Sequence, residues 1–438
     1  MSAAVSARSV ASGLAAIVGG GRVREDSAAL QGSAVDGVVP RWIVQPASVE
    51  EMSRTLGLAH DAGLAVAPRG SGSALGLGSP PERLDILLDT SGLAAVADYS
   101  PDDMTVSVGA GVTAGALAAV LAAHRQWLPI DPPGGATRTL GGITATNASG
   151  PLRARYGTMR DLLLGVRFVQ ADGVVTWGGA RVVKSVSGYD VPKLMVGSLG
   201  TLGVLAELTL RLHPVPERET TWLATFPTAE QTRVCVARVL DGTLQPSRVE
   251  LLNRAALAAC DLEPAPAALA ISIGTVAAGV TAQGESLATL VRREGGRERP
   301  APERFWSAYE RALSAREVVL RVRALPSELP PALAAIERAA IDAAGVAPAI
   351  AGSAAAGVLR VGLPAMEGAR LATLVTGLRE ALRAAGGGLV IERASPAARA
   401  AVDPWGPVDP DRLELMRRLK DEFDPTRILN PGRFVGGI

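Results

Sequence analysis

The segment Pro68-Arg69-Gly70-Ser71-Gly72-Ser73-Ala74-Leu75 constrains this chain more than any other. It follows the apolar run Leu64-Ala65-Val66-Ala67 and precedes the strand-like segment Asp85-Ile86-Leu87-Leu88-Asp89. A strand that ends in Pro-Arg and then loses its side chains at Gly70 and Gly72 exposes consecutive backbone N–H groups, a nest suited to a phosphate or pyrophosphate. Glycine there permits positive φ and close approach of a ligand to the main chain. A second stretch, Gly134 through Gly150, is a long run of small residues and hydroxyls. It carries too much glycine for a good helix and too little hydrophobic mass for an ordinary core strand. A third, Gly197-Ser198-Leu199-Gly200-Thr201-Leu202-Gly203-Val204, leads into the alternating run Leu205 to Leu212. Three small-residue segments, each beside a strand, point to one extended ligand lying against backbone.

A dinucleotide loop of the Rossmann kind needs a helix directly after its glycines. Here Pro80-Pro81 follows closely and forbids one, which leaves a pyrophosphate nest or a purely structural glycine loop.

With 438 residues the chain exceeds one typical core, so two or more domains are expected. Its 44 basic and 43 acidic side chains leave a net charge of +1, and no Lys/Arg run suggests nucleic-acid binding. The two cysteines, Cys235 and Cys260, exclude a disulfide framework and are too few for an iron–sulfur cluster. No apolar run reaches transmembrane length. Val10 to Val18 follow Arg8 as a signal peptide would, but Ser12 and Gly13 interrupt the run. It reads instead as an amphipathic helix with Leu14, Ile17 and Val18 on one face, and the default expectation is cytoplasmic.

Residues 38 to 95 read as strand, helix, strand, loop, strand. Ser48 and Glu51 form a capping box, and Gly63 closes the helix at C′. Thr105 to Val108 is a strand followed by a helix from Ala114. Leu162–Val169 and Val174–Trp177 form a hairpin about Asp172-Gly173. His213-Pro214-Val215-Pro216 ends the strand Val204–Leu212 and marks a domain boundary at 217. Strands and helices then alternate in two similar halves to residue 410, which suggests a ferredoxin-like α+β cap with an antiparallel sheet. The charged, proline-rich stretch 293 to 304 reads as a loop. Residues 411 to 438 form a last helix and a tail.

The order PRGSGSAL, DPPGG, GGITATNASG, RYGTMRD, KSVSGYD, GSLGTLGVLAELTLRL and NPGR resembles the FAD-binding flavoenzymes of the vanillyl-alcohol oxidase / p-cresol methylhydroxylase (PCMH) type. The resemblance covers about residues 38 to 217 and returns at 412 to 438. Within that family the chain is most similar to the FAD-binding E subunits of bacterial glycolate oxidases, through KSVSGYD, Met195-Val196-Gly197-Ser198, Phe305-Trp306 and Asp424-Pro425 to Arg433. It implies an α+β fold: a PCMH-type FAD domain of two subdomains (1–217), a cap (218–410), and a C-terminal helix and tail (411–438) returning to the FAD domain.

By the resemblance, Pro68, Arg69, Gly70, Ser71, Gly72 and Ser73 hold the pyrophosphate. Pro132, Gly135, Thr139, Gly141, Gly142, Thr146, Asn147, Ser149 and Gly150 lie along the ribityl chain and flavin. Gly200, Gly203 and Val204 line the adenine or flavin edge. The loop offers Ser73 and Ala74 where relatives attach FAD covalently through His or Cys, and His60, His124 and His213 sit elsewhere, so noncovalent FAD is expected. Hydroxy-acid dehydrogenases of this superfamily carry a histidine metal cluster in the cap. The matching Ala351 to Arg360 has no such ligand, and no histidine follows residue 213, so no metal is expected. No general base is evident. Arg321, Arg323, Arg360 and Lys184 are cationic candidates for a substrate carboxylate. Tyr189 with Asp190 is either catalytic or a buried polar pair that fixes its loop.

The implied function is that of an FAD subunit in a glycolate oxidase-type 2-hydroxy-acid dehydrogenase, taking or relaying electrons. Implied partners are a small hydroxy acid, a second FAD subunit and an iron–sulfur subunit, with membrane contact only through those partners. A stand-alone FAD oxidase of an alcohol or sugar, and an assembly subunit with inert FAD, are the alternatives.

Overall fold

The computed structural model of the protein describes residues 7–180 and 188–438. Its first sheet runs Val23–Arg24, Trp42–Val44, Ile86–Asp89, Val66–Arg69 from edge to edge, the last three strands parallel. Helix Val49–Asp61 makes the crossover that parallel strands require. Ser48 Oγ accepts the Glu51 amide at 3.1 Å, but the capping box is only half made. The Glu51 carboxylate turns instead to the Ala47 amide and to Arg22. Met52, Leu56 and Ala59 of this helix bury against Val44, Val66 and Leu88, and Val10, Leu14 and Val18 of helix Ala7–Val18 close the same core.

The second sheet is antiparallel, in the order Val96–Ser100, Thr105–Gly109, Val204–Arg211, Leu163–Val169, Val175–Gly179. The Asp172-Gly173 hairpin pairs Val169 with Val175 as expected. The glycine-rich stretch departs from expectation, because Leu140–Thr146 is a helix. Thr139 caps it by accepting the Gly142 amide, and Asn147 ends it in the left-handed region. Gly141 lies so near Ala110 that a Cβ would fall 2.8 Å from the alanine's own. Tertiary contact that only a bare backbone can make outweighs poor helix propensity here.

Residues 218–393 build an eight-stranded antiparallel sheet. Its first half runs Arg297–Pro300, Arg218–Phe226, Ala267–Thr275, Arg248–Asn253, and its second Ala349–Ser353, Val358–Leu363, Val318–Arg323, Gly388–Arg393. Each half has the strand order of a ferredoxin-like unit, and the halves join between Arg248–Asn253 and Ala349–Ser353. The stretch 293 to 304, expected as a loop, contains the edge strand Arg297–Pro300, charged and closed by proline as a protected edge is.

One face of this sheet presents Val249, Leu251, Leu320, Val361 and Ile391 to four long helices. Side chains alternate along strands, so Arg248, Glu250, Arg321, Arg360 and Glu392 are turned to the opposite face. That face meets the N-terminal domain: Arg248 pairs with Asp131 at 3.2 Å, and Arg360 donates to the Ser149 carbonyl at 3.1 Å.

Helix Pro410–Phe423 leads the tail back to the first sheet. Val66 donates to the Ile428 carbonyl at 2.7 Å, and Asn430 donates to the Val66 carbonyl at 2.9 Å. Beneath them Lys420 and Asp424 form a fully buried ion pair at 2.6 Å. The ammonium also donates to the carbonyls of Thr201 and Leu429. No helix among the described residues is long and apolar enough to cross a membrane.

Candidate functional site

The Pro68–Leu75 segment leaves strand Val66–Arg69 and forms one wall of a cavity of about 750 Å³. Thr139, Gly141, Gly142 and Thr146 supply a second wall, and Leu199, Gly200, Val204 and Leu205 a third. The amides of Gly70, Ser71, Gly72, Ser73 and Ala74 donate to no protein acceptor among the described residues. Gly72 has φ +78°, which turns the chain so that successive N–H groups converge. Gly70 serves differently: a Cβ there would fall 2.0 Å from Thr139 Oγ1, the cap of the neighbouring helix. Three buried polar atoms on the cavity wall also lack partners, namely Arg138 Nε, Asn430 Oδ1 and Arg433 Nε. Five free amides and three orphaned side-chain atoms around one elongated space fit a pyrophosphate-bearing ligand whose polar groups satisfy them.

Of the remaining expected cofactor residues, Asn147 faces a neighbouring cleft, and Pro132, Gly135, Ser149, Gly150 and Gly203 lie outside this wall. Gly150 and Gly203 are needed for packing: a Cβ would strike the Asp131 carbonyl in one case and the Phe168 ring in the other. The Arg69 guanidinium is held by Asp89 at 2.6 Å and Ser33 at 2.9 Å. What Arg69 presents to the cavity is therefore its backbone and stem. Among the described residues no histidine or cysteine lines the cavity, and both cysteines are buried in the cap.

Arg321 and Arg360 come together on the cap sheet. Both pair with Glu392, at 3.3 Å and 2.7 Å. Lys184 lies outside the described residues. Tyr189 corrects the expectation of a buried pair, since it is 96% exposed. Asp190 instead caps helix Val191–Met195 and pairs with Lys193. The polar side of that loop is held locally and leaves the ring in solvent.

Two groups escaped sequence reading. Arg138 lines the cavity, is 8% exposed, and bonds only the Pro133 carbonyl and Thr146 Oγ1, each at 3.2 Å. No carboxylate forms a direct ion pair with it among the described residues, and its pKa is lowered, chiefly by burial and then by Arg360, with Glu392 of the cap acting the other way. A buried guanidinium with no direct ion pair is costly unless an anion joins it. Glu250 is buried on the cap sheet, accepts the Tyr309 hydroxyl, and has a second oxygen with no partner. Burial pushes its pKa up to about 8, against the lowering effects of the Tyr309 hydrogen bond, Arg360 and Arg153. A glutamate inside the apolar run Val249-Glu250-Leu251-Leu252 was the available signal. A nest of bare amides opening on an elongated cavity is suited to a pyrophosphate-bearing cofactor.

Comparison with known proteins agrees. Residues 40–179 match an FAD binding domain, and residues 405–434 match the C-terminal domain of FAD linked oxidases. These matches support FAD as the cofactor. It is 35% identical over 225 residues to a probable mitochondrial D-lactate dehydrogenase of Danio rerio, covering 51% of this chain and 45% of that protein. It is 28% identical over 219 residues to glycolate oxidase subunit GlcD of Bacillus subtilis, covering 50% and 47%. The chain thus spans about half the length of these relatives. The crystal structure of p-cresol methylhydroxylase with substrate bound shares the fold at TM-score 0.77 and 15% identity, over 97% of this chain and 96% of that one.

An expected result follows from the Gly70 contact. Gly70→Val should yield protein that purifies without flavin yet retains a folded cap, because the added side chain displaces Thr139 and with it two cavity walls. Flavin-to-protein absorbance ratio and circular dichroism report both. Full flavin retention would show that the close approach is dispensable.

Proposed function

We propose that the protein is an FAD-dependent 2-hydroxy-acid dehydrogenase that holds FAD noncovalently and serves as the flavin subunit of a glycolate oxidase-type complex. The observation that carries this reading is Arg138, a buried guanidinium on the cofactor wall with no direct ion pair, which faces Arg360 and Glu392 of the cap. FAD, when bound through the 70–74 amides, Asn430 and Arg433, supplies the hydride acceptor.

The protein's own residues divide the remaining work. Arg138 and Arg360 receive the substrate carboxylate, and Glu392 holds Arg360 in place. Glu250 takes the hydroxyl proton, because a carboxyl that titrates near neutrality on the same cap face is poised as a base. Tyr309 donates to Glu250 and orients it. Packing of the cap sheet onto Ser149 and Asp131 excludes water. Resemblance to lactate dehydrogenases and to a glycolate oxidase subunit supports the hydroxy-acid assignment. Electrons then pass to a second flavin subunit and an iron–sulfur subunit.

The test is anaerobic addition of glycolate or D-lactate to the yellow protein, alone and with its co-purified complex. Bleaching of the flavin is expected. A flavin that stays oxidised with every 2-hydroxy acid, in both forms, defeats the assignment. Acid precipitation should release the flavin into solution. Arg138→Gln should raise KM for the acid about tenfold or more, the loss expected for one charged hydrogen bond, with a smaller change in kcat.

A further inference from the structure

A second cleft of about 1,770 Å³ opens beside the cofactor cavity and shares Thr146 and Leu199 with it. Its charged lining consists of six arginines and one acid, Asp409, in a chain whose net charge is only +1. Asp409 is already engaged, because its carboxylate accepts the amides of Asp411 and Arg412 as the helix cap. Three of the arginines, Arg323, Arg383 and Arg412, form no ion pair among the described residues. They reach the cleft from different elements: strand Val318–Arg323, helix Gly368–Arg383 and helix Pro410–Phe423.

Ordinary helix electrostatics accounts for Arg383, which closes the C-terminal end of its helix. It does not account for Arg412, which sits in the first turn, where the helix dipole disfavours a cation. Asp409 and Asp411 offset the positive end of that helix, so what Arg412 brings to the cleft beside Arg323 is the charge of its own guanidinium. Like charges converging in a concave site repel one another and focus the field, an arrangement that an anionic ligand relieves.

We infer that this cleft is a second anion-binding site, which holds a further carboxylate or phosphate of the acid whose hydroxyl carbon lies at the flavin. The inference rests on the hydroxy-acid reading and narrows it: the preferred substrate is polyanionic and larger than glycolate or lactate. Those small monoanions fill the Arg138 end and leave the cleft to solvent.

The decisive measurement separates binding from oxidation. Tricarballylate has three carboxylates and no hydroxyl, so it cannot be oxidised. Pyrophosphate tests the phosphate form of the same chemistry, and propionate is the monoanion control. At fixed ionic strength, calorimetry on the full-length, FAD-loaded protein should show a polyanion binding at least about tenfold tighter than propionate, the gain expected from one added charge-assisted hydrogen bond. The triple variant Arg323→Gln, Arg383→Gln, Arg412→Gln should bring it down to the propionate level while FAD content stays unchanged. Whichever polyanion binds more tightly, tricarballylate or pyrophosphate, identifies the second group. The same variant should lower kcat/KM for a 2-hydroxydicarboxylate and leave that for glycolate as it was. Equal binding of all three probes, or a triple variant that binds polyanions like the parent, overturns the inference. Absence of flavin bleaching alongside tight polyanion binding would instead defeat the dehydrogenase assignment and leave the anion site standing.

Discussion

Lys420→Met should destabilise the protein by about 3–5 kcal/mol and strip much of its flavin, the cost typical of removing one partner from a buried ion pair. Lys420 and Asp424 are 1% and 0% exposed. Without the ammonium, the Asp424 carboxylate keeps the amides of Ile428 and Leu429 and the Thr426 hydroxyl, and the carbonyls of Thr201 and Leu429 lose a charged donor. Those contacts pin the tail under the Gly200 turn. The tail in turn supplies Asn430, whose side-chain amide donates to the Leu199 carbonyl, and Arg433, which donates to the carbonyls of Leu75 and Leu77 behind the glycine loop. Urea titration and flavin content read the two effects together. A change under about 1 kcal/mol, the range of an exposed pair, with full flavin would mean that the pair only decorates the fold.

Replacing Glu250 with glutamine should act in opposite directions on stability and on turnover. The folded-state pKa of about 8 lies above the value of 4.5 for an unperturbed glutamate. The native protein therefore binds the extra proton between those values, and stability is lost as pH rises from about 4.5 through about 8. The facing groups, Tyr309, Asp131, Arg360 and Arg153, shape that value without reversing its direction. Asp131, also raised by burial, adds to the same trend. The amide introduced by Glu250→Gln mimics the protonated carboxyl, so the variant should match the parent near pH 5 and exceed it above pH 8. The gain there is on the order of 5 kcal/mol as an upper figure, taking about 1.4 kcal/mol per pKa unit. Thermal melts across pH 5 to 9 would show it. Flavin reduction by the hydroxy acid should rise with pH through about 8 in the parent and fall about a hundredfold or more in the variant, the usual contribution of a positioned base. A variant with parental stability at high pH and parental reduction rate would remove Glu250 from the reaction.

Both groups mark the limit of what could be read from the chain alone. The glycine loop at 70–74 was legible because its chemistry is local: a strand, two glycines and a following Pro80-Pro81 that forbids a helix. The ferredoxin-like halves of the cap were legible because alternation and helical spacing are also local. Helix Leu140–Thr146 was not, since its reason to form is Ala110, which lies far upstream and leaves room only for glycine. Arg138 and Glu250 were hidden for a related cause. Arg138 looks ordinary beside its chain neighbours and becomes unusual only when folding buries it without a direct ion pair, whereas Glu250 interrupts an apolar run and only the fold shows that one of its oxygens has no partner. The exposed Tyr189 shows the converse, a suggestive motif whose hydrogen bonds prove to be satisfied within its own turn.

The pairing of Val66 with Leu429 carries a consequence for biosynthesis. The strand that presents the glycine loop leaves the ribosome early, whereas the segment that seals its flank emerges only after the whole cap has been translated. The cap has its own core and can settle first. The flank of the glycine loop is therefore closed only once residues 428–430 have left the ribosome, so the cradle is completed by the last part of the sequence to emerge.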